Sequence, residues 1–277
     1  MSGLAQIATT RRDPPGSTKV GVIGTGVIGS AVIRALRAGS IEGVVLTVVV
    51  DNRPAIDCPV PQVSLEAAID QCDVLVECAG QACVASHATR ILESGVDLLI
   101  TSVGAMADPQ VADEVLAAGP GRVIFTAGAV GGLDMLASAS AFMALRSAKI
   151  TTTKTPASLV QPWMDEAATL QLLRTDTPVE VFRGGAREAA RLFPRSLNVA
   201  ATVAFAIDDF DLVEVVLVAD PDGALTSHLI EAEGDAGEYR FEIKNRPSAL
   251  NPRTSGVVPY AVLRTLAVLV GRPVRIV

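Results

Sequence analysis

Val20-Gly21-Val22-Ile23-Gly24-Thr25-Gly26-Val27-Ile28-Gly29-Ser30-Ala31-Val32 places a short apolar strand, three glycines at Gly-x-Gly-x-x-Gly spacing and the opening of a helix in direct succession. That order is the layout of a dinucleotide-binding turn. Gly24 lets the chain turn tightly, Gly26 lets a pyrophosphate approach the backbone, and Gly29 lets the new helix pack closely on the strand. The amides at the helix start then face the phosphates, reinforced by the helix dipole. Glycines so spaced also occur in turns that bind nothing, and the surroundings discriminate. A second apolar run, Val44 to Val50, follows the helix and ends at Asp51, 22 residues after Gly29, where a carboxylate can take both ribose hydroxyls of NAD. A Rossmann nucleotide-binding unit is the expected fold of this part.

Outward from the turn, β-branched runs alternate with helical ones as far as Thr126, which argues for a parallel sheet covered on both faces. Strands are expected at 20–23, 44–50, 73–77, 97–101 and 122–126. Helices are expected at 65–71, capped by Ser64, and at 82–94, ended by Gly95. A long apolar helix over 133–145 leads out of this layer. Strands then follow at 150–153, 212–219, 226–233 and 238–244, and the last three lack an intervening helix, which suggests an antiparallel sheet. Tyr239, Phe241 and Ile243 alternate with Arg240, Glu242 and Lys244, so one face of that sheet is buried and the other wet. Pro259 and Gly271 bracket a terminal helix expected to return to the first domain. The fold class is thus α/β: a Rossmann dinucleotide-binding domain plus a second α+β domain with a mainly antiparallel sheet. The expected division is a disordered tail over 1–18, a nucleotide domain over 19–130 joined by 257–277, and a substrate and dimerisation domain over 131–256.

The chain has 277 residues, 49% hydrophobic and 19% charged, the composition of a globular protein large enough for two cores. Its net charge of -7 disfavours nucleic acid or an anionic membrane as a partner, so an anionic substrate must be held by a few local cations. Cys58, Cys72, Cys78 and Cys83 form no Cys-x-x-Cys pair and there are two histidines in all, so no metal site is expected and the thiols read as reduced. No run approaches the length of a membrane span, and the first 18 residues lack the apolar segment of a signal peptide; a cytoplasmic protein is expected.

His228 is the first candidate for chemistry, since histidine donates and accepts protons near neutral pH. It shares a strand face with Ile230 and Ala232, so a packing role stands beside the catalytic one. His87, within a helix of the first domain, reads as a partly exposed helical residue. Lys154, Arg187 and Arg253 could each take a carboxylate, or each be a solvated surface charge. The small-residue segments Ala127 to Asp134 and Leu197 to Thr202 permit close approach to a flat ring, or simply tight helix packing.

Taken together, Thr126-Ala-Gly-Ala-Val-Gly-Gly-Leu-Asp134, Thr152-Thr-Lys-Thr-Pro156, Gly185-Ala-Arg-Glu-Ala-Ala190, Phe193-Pro-Arg-Ser-Leu-Asn-Val-Ala-Ala-Thr202 and Asn245-Arg-Pro-Ser-Ala-Leu-Asn-Pro-Arg-Thr-Ser255 resemble, in order, the L-aspartate dehydrogenase family. The resemblance runs from Val20 onward. It implies NAD-dependent oxidative deamination of L-aspartate to iminosuccinate and then oxaloacetate and ammonia, or the reverse, with NADP as a possible second cofactor. It implies cofactor contacts at Ala129 and Asn198 beside Gly24, Gly26, Gly29 and Asp51, and it implies His228 as the catalytic residue. Lys154, then Arg253 with Thr254, are the residues expected to bind a dicarboxylic amino or oxo acid. A homodimer is the expected assembly. Two other readings remain open at this stage: a dehydrogenase or imine reductase for a modified aspartate, and a non-catalytic NAD(H)-sensing protein.

Overall fold

The apolar runs of the first half form parallel strands, buried on both faces at the centre of their sheet and partly exposed in its two edge strands. In the computed structural model, which describes residues 16–54, 58, 60–194 and 198–271, this half runs β1 (Thr18–Ile23), α1 (Val27–Arg37), β2 (Val44–Val50), α2 (Leu65–Ile69), β3 (Val74–Glu77), α3 (Gln81–Glu93), β4 (Asp97–Ile100), a 3₁₀ turn (Val103–Ala107), α4 (Pro109–Ala117) and β5 (Val123–Phe125). The sheet order is β2-β1-β3-β4-β5, with every neighbouring pair parallel. Side chains alternate between faces, so Val20, Val22, Val74 and Val76 share a core with Val32, Ile33 and Leu36 of α1, while Leu75, Leu98 and Ile100 share another with Val84, Ile91 and Leu92 of α3. The chain direction across the sheet reverses between β1 and β3, which opens a crevice at their carboxyl ends. Most of the expected N-terminal tail, 1–15, and the last residues from 272 onward lie outside the described residues.

The second half runs α5 (Leu133–Phe142), β6 (Leu145–Lys154), α6 (Pro156–Leu159), α7 (Glu166–Leu173), β7 (Val179–Gly185), α8 (Ala186–Leu192), α9 (Asn198–Ala206), β8 (Val213–Ala219), β9 (Thr226–Gly234), β10 (Gly237–Asn245), β11 (Pro247–Ser248), β12 (Asn251–Ser255) and α10 (Val258–Leu269). Its main sheet has the order β10-β9-β6-β8-β7, with β6 and β8 parallel and the other three pairs antiparallel. Ala148, Ile150, Val215, Leu217, Ile230 and Ala232 form its inner face and pack with Leu136, Ala189, Val199 and Val203 of the covering helices.

Two expectations from the sequence are corrected here, and one strand is added. Strands β8 and β9 follow one another in the chain but are not neighbours, because β6 lies between them. The crossover from β6 passes through α8 and α9 and returns β8 parallel to it, a relation that strand periodicity cannot reveal. The helix expected over 133–145 stops at Phe142, and β6 begins at Leu145. Strand β7 has no clear signal in the sequence, because a register shift between Glu180 and Phe182 breaks its alternation and most of it is exposed.

Helix α10 places Val262, Leu266 and Leu269 in the core with Val20 and Val32. Docking this helix on the first sheet holds the preceding β12 beside the crevice.

Candidate active site

The three glycines of the opening turn are required for three different reasons. Gly24 has φ +92°, and a Cβ on it would lie 2.7 Å from the Cys78 carbonyl oxygen. A Cβ on Gly29 would lie 1.9 Å from the Gly24 carbonyl oxygen, so helix and turn touch backbone to backbone. A Cβ on Gly26 would meet nothing within 4 Å. The protein leaves that space open in front of the α1 amino terminus, where no side chain caps the helix. An anionic group seated there meets helix amides and the positive end of the helix dipole.

Asp51 stands at the end of β2 with its side chain 7% exposed. Its Oδ2 accepts from the Thr25 backbone N–H at 2.7 Å and hydroxyl at 2.6 Å, and its Oδ1 accepts from the Arg53 backbone N–H at 2.9 Å. Burial opposes ionisation of this carboxyl, but the hydrogen bonds from Thr25 and Arg53 outweigh it and hold the group well below the usual carboxylate range. The Arg53 side chain pairs with Asp51 at 3.3 Å and is 71% exposed. An open anion seat, an uncapped helix start and a fixed carboxylate one strand away together fit a dinucleotide.

The remaining candidates meet in one cleft between the halves of the chain. Thr101, Thr126, Gly128 and Ala129 line it from the first sheet, Asn198 and Thr202 from α9, Lys154 and His228 from β6 and β9, and Arg253 and Thr254 from β12. Strand periodicity explains the polar end of the second sheet. The stripe that buries Ala148 and Ile150 of β6 continues to Thr152 and Lys154, and the stripe that buries Ala232 and Ile230 of β9 continues to His228. A larger groove of about 480 Å³ between α1, α10 and the β11–β12 hairpin adjoins the cleft at Thr254 and Ser255. Among the described residues, Arg34 is its one charged lining residue.

His228 is 1% exposed, and its Nδ1 lies 3.0 Å from Thr152 Oγ1. Burial, and then the Lys154 charge, push its pKa down to about 3, so the free protein carries it neutral. Lys154 is 4% exposed and its Nζ donates to the Arg253 carbonyl at 3.1 Å. Burial lowers its pKa to about 8. Arg253 is anchored by its Nη2 to the Val160 carbonyl at 3.4 Å, and the Ala129 carbonyl accepts from Asn245 Nδ2 at 2.8 Å. Asn198 Oδ1 accepts from Gln81 Nε2 and from the Gly104 N–H, each at 3.2 Å.

Two earlier candidates fall elsewhere. Arg187 donates to the Ala107 carbonyl at 2.7 Å and lies over the Phe210 ring, outside the cleft lining. His87 is exposed on α3. A further buried group borders the crevice: Glu77, 1% exposed at the end of β3, accepts from the N–H groups of Ala79, Gly80, Thr101 and Ser102 and from the Ser102 hydroxyl. Burial pushes this carboxyl up despite those bonds. A charged residue ending an apolar run was its only trace in the sequence.

Residues 134–269 match the family model described as aspartate dehydrogenase, C-terminal, and residues 24–120 match that of homoserine dehydrogenase, NAD binding domain. The L-aspartate dehydrogenase of Ralstonia pickettii is 35% identical over 260 residues, covering 89% of this chain and 96% of that protein. That of Pseudomonas aeruginosa is 34% identical over 258 residues, covering 88% and 95%. The crystal structure of aspartate dehydrogenase from Thermotoga maritima superposes with a TM-score of 0.72 at 28% identity, covering 93% of this chain and 98% of that one.

Proposed function

From the premise that this chain belongs to the L-aspartate dehydrogenase family, we propose that the cleft holds aspartate or its oxo counterpart between Lys154, Arg253 and Thr254, with His228 as the proton-transfer group. The activity is NAD(P)-dependent: L-aspartate is oxidised to iminosuccinate, which water converts to oxaloacetate and ammonia, or the sequence runs in reverse. When bound, the nicotinamide accepts or supplies the hydride. The protein's own part is to hold substrate C2 in place and to manage protons.

Lys154 and Arg253 supply the local positive charge that a dicarboxylate needs in a protein of net charge -7. Since Nδ1 of His228 faces Thr152, Nε2 is the nitrogen that exchanges protons with the amine or the attacking water. A substrate carboxylate beside Lys154 offsets the charge that depresses His228, and so makes the imidazole a better base when substrate is bound. Ala129 and Asn198 take the nicotinamide end of the cofactor, and the Gly26 seat and Asp51 take its pyrophosphate and ribose. Asp51 disfavours a 2′-phosphate, and Arg53 can turn outward to meet one, which makes NAD the preferred but not the exclusive cofactor.

The observation that carries this reading is the burial of His228 and Lys154 side by side at the polar end of two otherwise apolar strand stripes. A panel of amino and oxo acids, assayed in both directions with NAD and NADP, tests it. Highest kcat/KM with aspartate and oxaloacetate is expected. A modified aspartate turned over far better would favour the imine-reductase reading, and NADH binding without turnover of any substrate would favour a sensor. The same reading takes the protein as a homodimer, supported by apolar surface at the end of α5, where Phe142 is 88% exposed. Light scattering in solution measures that directly. Free Cys58, Cys72, Cys78 and Cys83 support a reducing compartment such as the cytoplasm.

A further inference from the structure

Asn198 opens α9 in the second half of the chain, yet its side chain is held from the first half. Gln81, the first residue of α3, donates from Nε2 to Asn198 Oδ1 at 3.2 Å, and the Gly104 N–H of the 3₁₀ turn donates to the same oxygen at 3.2 Å. A backbone N–H can only donate, so the amide atom facing it is the oxygen, which sets the orientation of Asn198. Gln81 is oriented in the same way, because its Nε2 also donates to the Pro194 carbonyl at 3.3 Å. A Cβ at 104 would lie 2.0 Å from Gln81 Nε2 and 2.5 Å from Asn198 Oδ1, so a larger residue there would push these two side chains out of their contact.

We propose that Gln81 is a positioning residue for the cofactor site. It stands behind Asn198, engages the amide oxygen together with Gly104, and so turns the Asn198 NH₂ toward the cleft as a hydrogen-bond donor. The ligand group opposite must then be an acceptor oxygen of the nicotinamide nucleoside. The same contact ties α3 and the 3₁₀ turn to α9, so the spacing of the two halves of the cleft and the direction of the donor are set together. This inference rests on the reading of Asn198 as a cofactor contact.

The test is a fluorescence titration of NADH on the full chain carrying Gln81→Glu, Gln81→Met, Gly104→Ala, Asn198→Ala or the Gln81→Glu and Asn198→Ala pair, with thermal unfolding alongside. Gln81→Glu keeps the size but sets an acceptor against Asn198 Oδ1 and the Pro194 carbonyl. It is expected to raise the Kd for NADH and the KM for NAD about tenfold, to leave the KM for aspartate within about twofold, and to cost nothing further once Asn198 is alanine. Gln81→Met and Gly104→Ala should weaken NADH in the same sense, and Gln81→Met takes the place of Gln81→Glu in the cycle should the latter unfold. Equal loss from Gln81→Glu in both backgrounds, or no loss where Asn198→Ala has one, overturns the positioning role alone. Unchanged NADH affinity in Asn198→Ala overturns the cofactor contact at Asn198 and this inference with it.

Discussion

His228 and Lys154 are kept from water by the same fold, and burial disfavours the charged form of both. For His228 the unfolded chain binds a proton near 6.5 and the native protein near 3, so stability falls as pH drops through that window. His228→Asn should flatten this part of the stability curve in denaturant titrations run at several pH values. In turnover it should lose roughly 10²- to 10⁴-fold in kcat while NADH affinity stays close to wild type. Most of the wild-type rate surviving in that variant would make His228 a packing residue. The sign for Lys154 runs toward alkali. Below about 8 its charge is buried at full cost, and the cost is lifted as pH rises from about 8 to 10.5, where the unfolded chain still holds the proton. Lys154→Met should therefore stabilise the protein at neutral pH by up to about 3 kcal/mol, with the gain shrinking above pH 8. The same variant should raise the KM for aspartate more than tenfold and barely alter NADH binding. A destabilised variant with an unchanged KM would show that Lys154 serves the fold and not the substrate.

Among the elements, the β1–α1 turn separates two uses of glycine that spacing alone cannot. Gly29→Ala forces a methyl into the Gly24 carbonyl, a backbone atom that cannot step aside, so both thermal stability and NADH binding should drop. Gly26→Ala meets no protein atom, and its φ of -67° suits alanine, so the fold should be as stable as wild type while NADH affinity falls by an order of magnitude or more. Comparing Tm with Kd for the pair distinguishes helix packing from ligand room. Glu77 serves the neighbouring turns: its carboxylate ties the start of α3 to the residues after β4, both of which border the crevice. The outer face of the second sheet works differently. Arg240, Glu231 and Lys149 pair across β10, β9 and β6, and Arg183 with Glu214 across β7 and β8. These pairs lie at the solvent-facing side, where water and salt screen them, and their use is to keep that face wet.

For the molecule as a whole, a net charge of -7 repels anionic substrates such as the one proposed for the cleft. Raising ionic strength from about 0.01 M to about 0.15 M screens that long-range field but reaches the buried Lys154 much less. The kcat/KM should therefore rise with salt, and rise more for oxaloacetate, a dianion, than for aspartate, which carries one net charge. A fall with salt in steady-state assays would mean that the positive patch, not the acidic surface, governs approach. Arg253 and Thr254 reach the cleft from β12, which leads within a few residues into α10, the helix packed on the first sheet.

Local chemistry was legible in the sequence wherever it was repeated or short-range. The spacing of Gly24, Gly26 and Gly29, the apolar runs of β1 to β5 and the cap at Ser64 each act within one turn or one strand, and their periodicity survives in a linear reading. Family motifs pointed to Ala129, Asn198 and His228 but could not say what surrounds them. Tertiary structure decided the rest: the insertion of β6 between β8 and β9, the donors gathered around Glu77, and the hold of Gln81 and Gly104 on Asn198, residues 117 and 94 positions apart from it. The depressed pKa values of His228 and Lys154 belong to this second group. Each depends on which groups the fold removes from water and sets face to face, and desolvation and hydrogen bonding are properties of a place in space, not of a position in the chain.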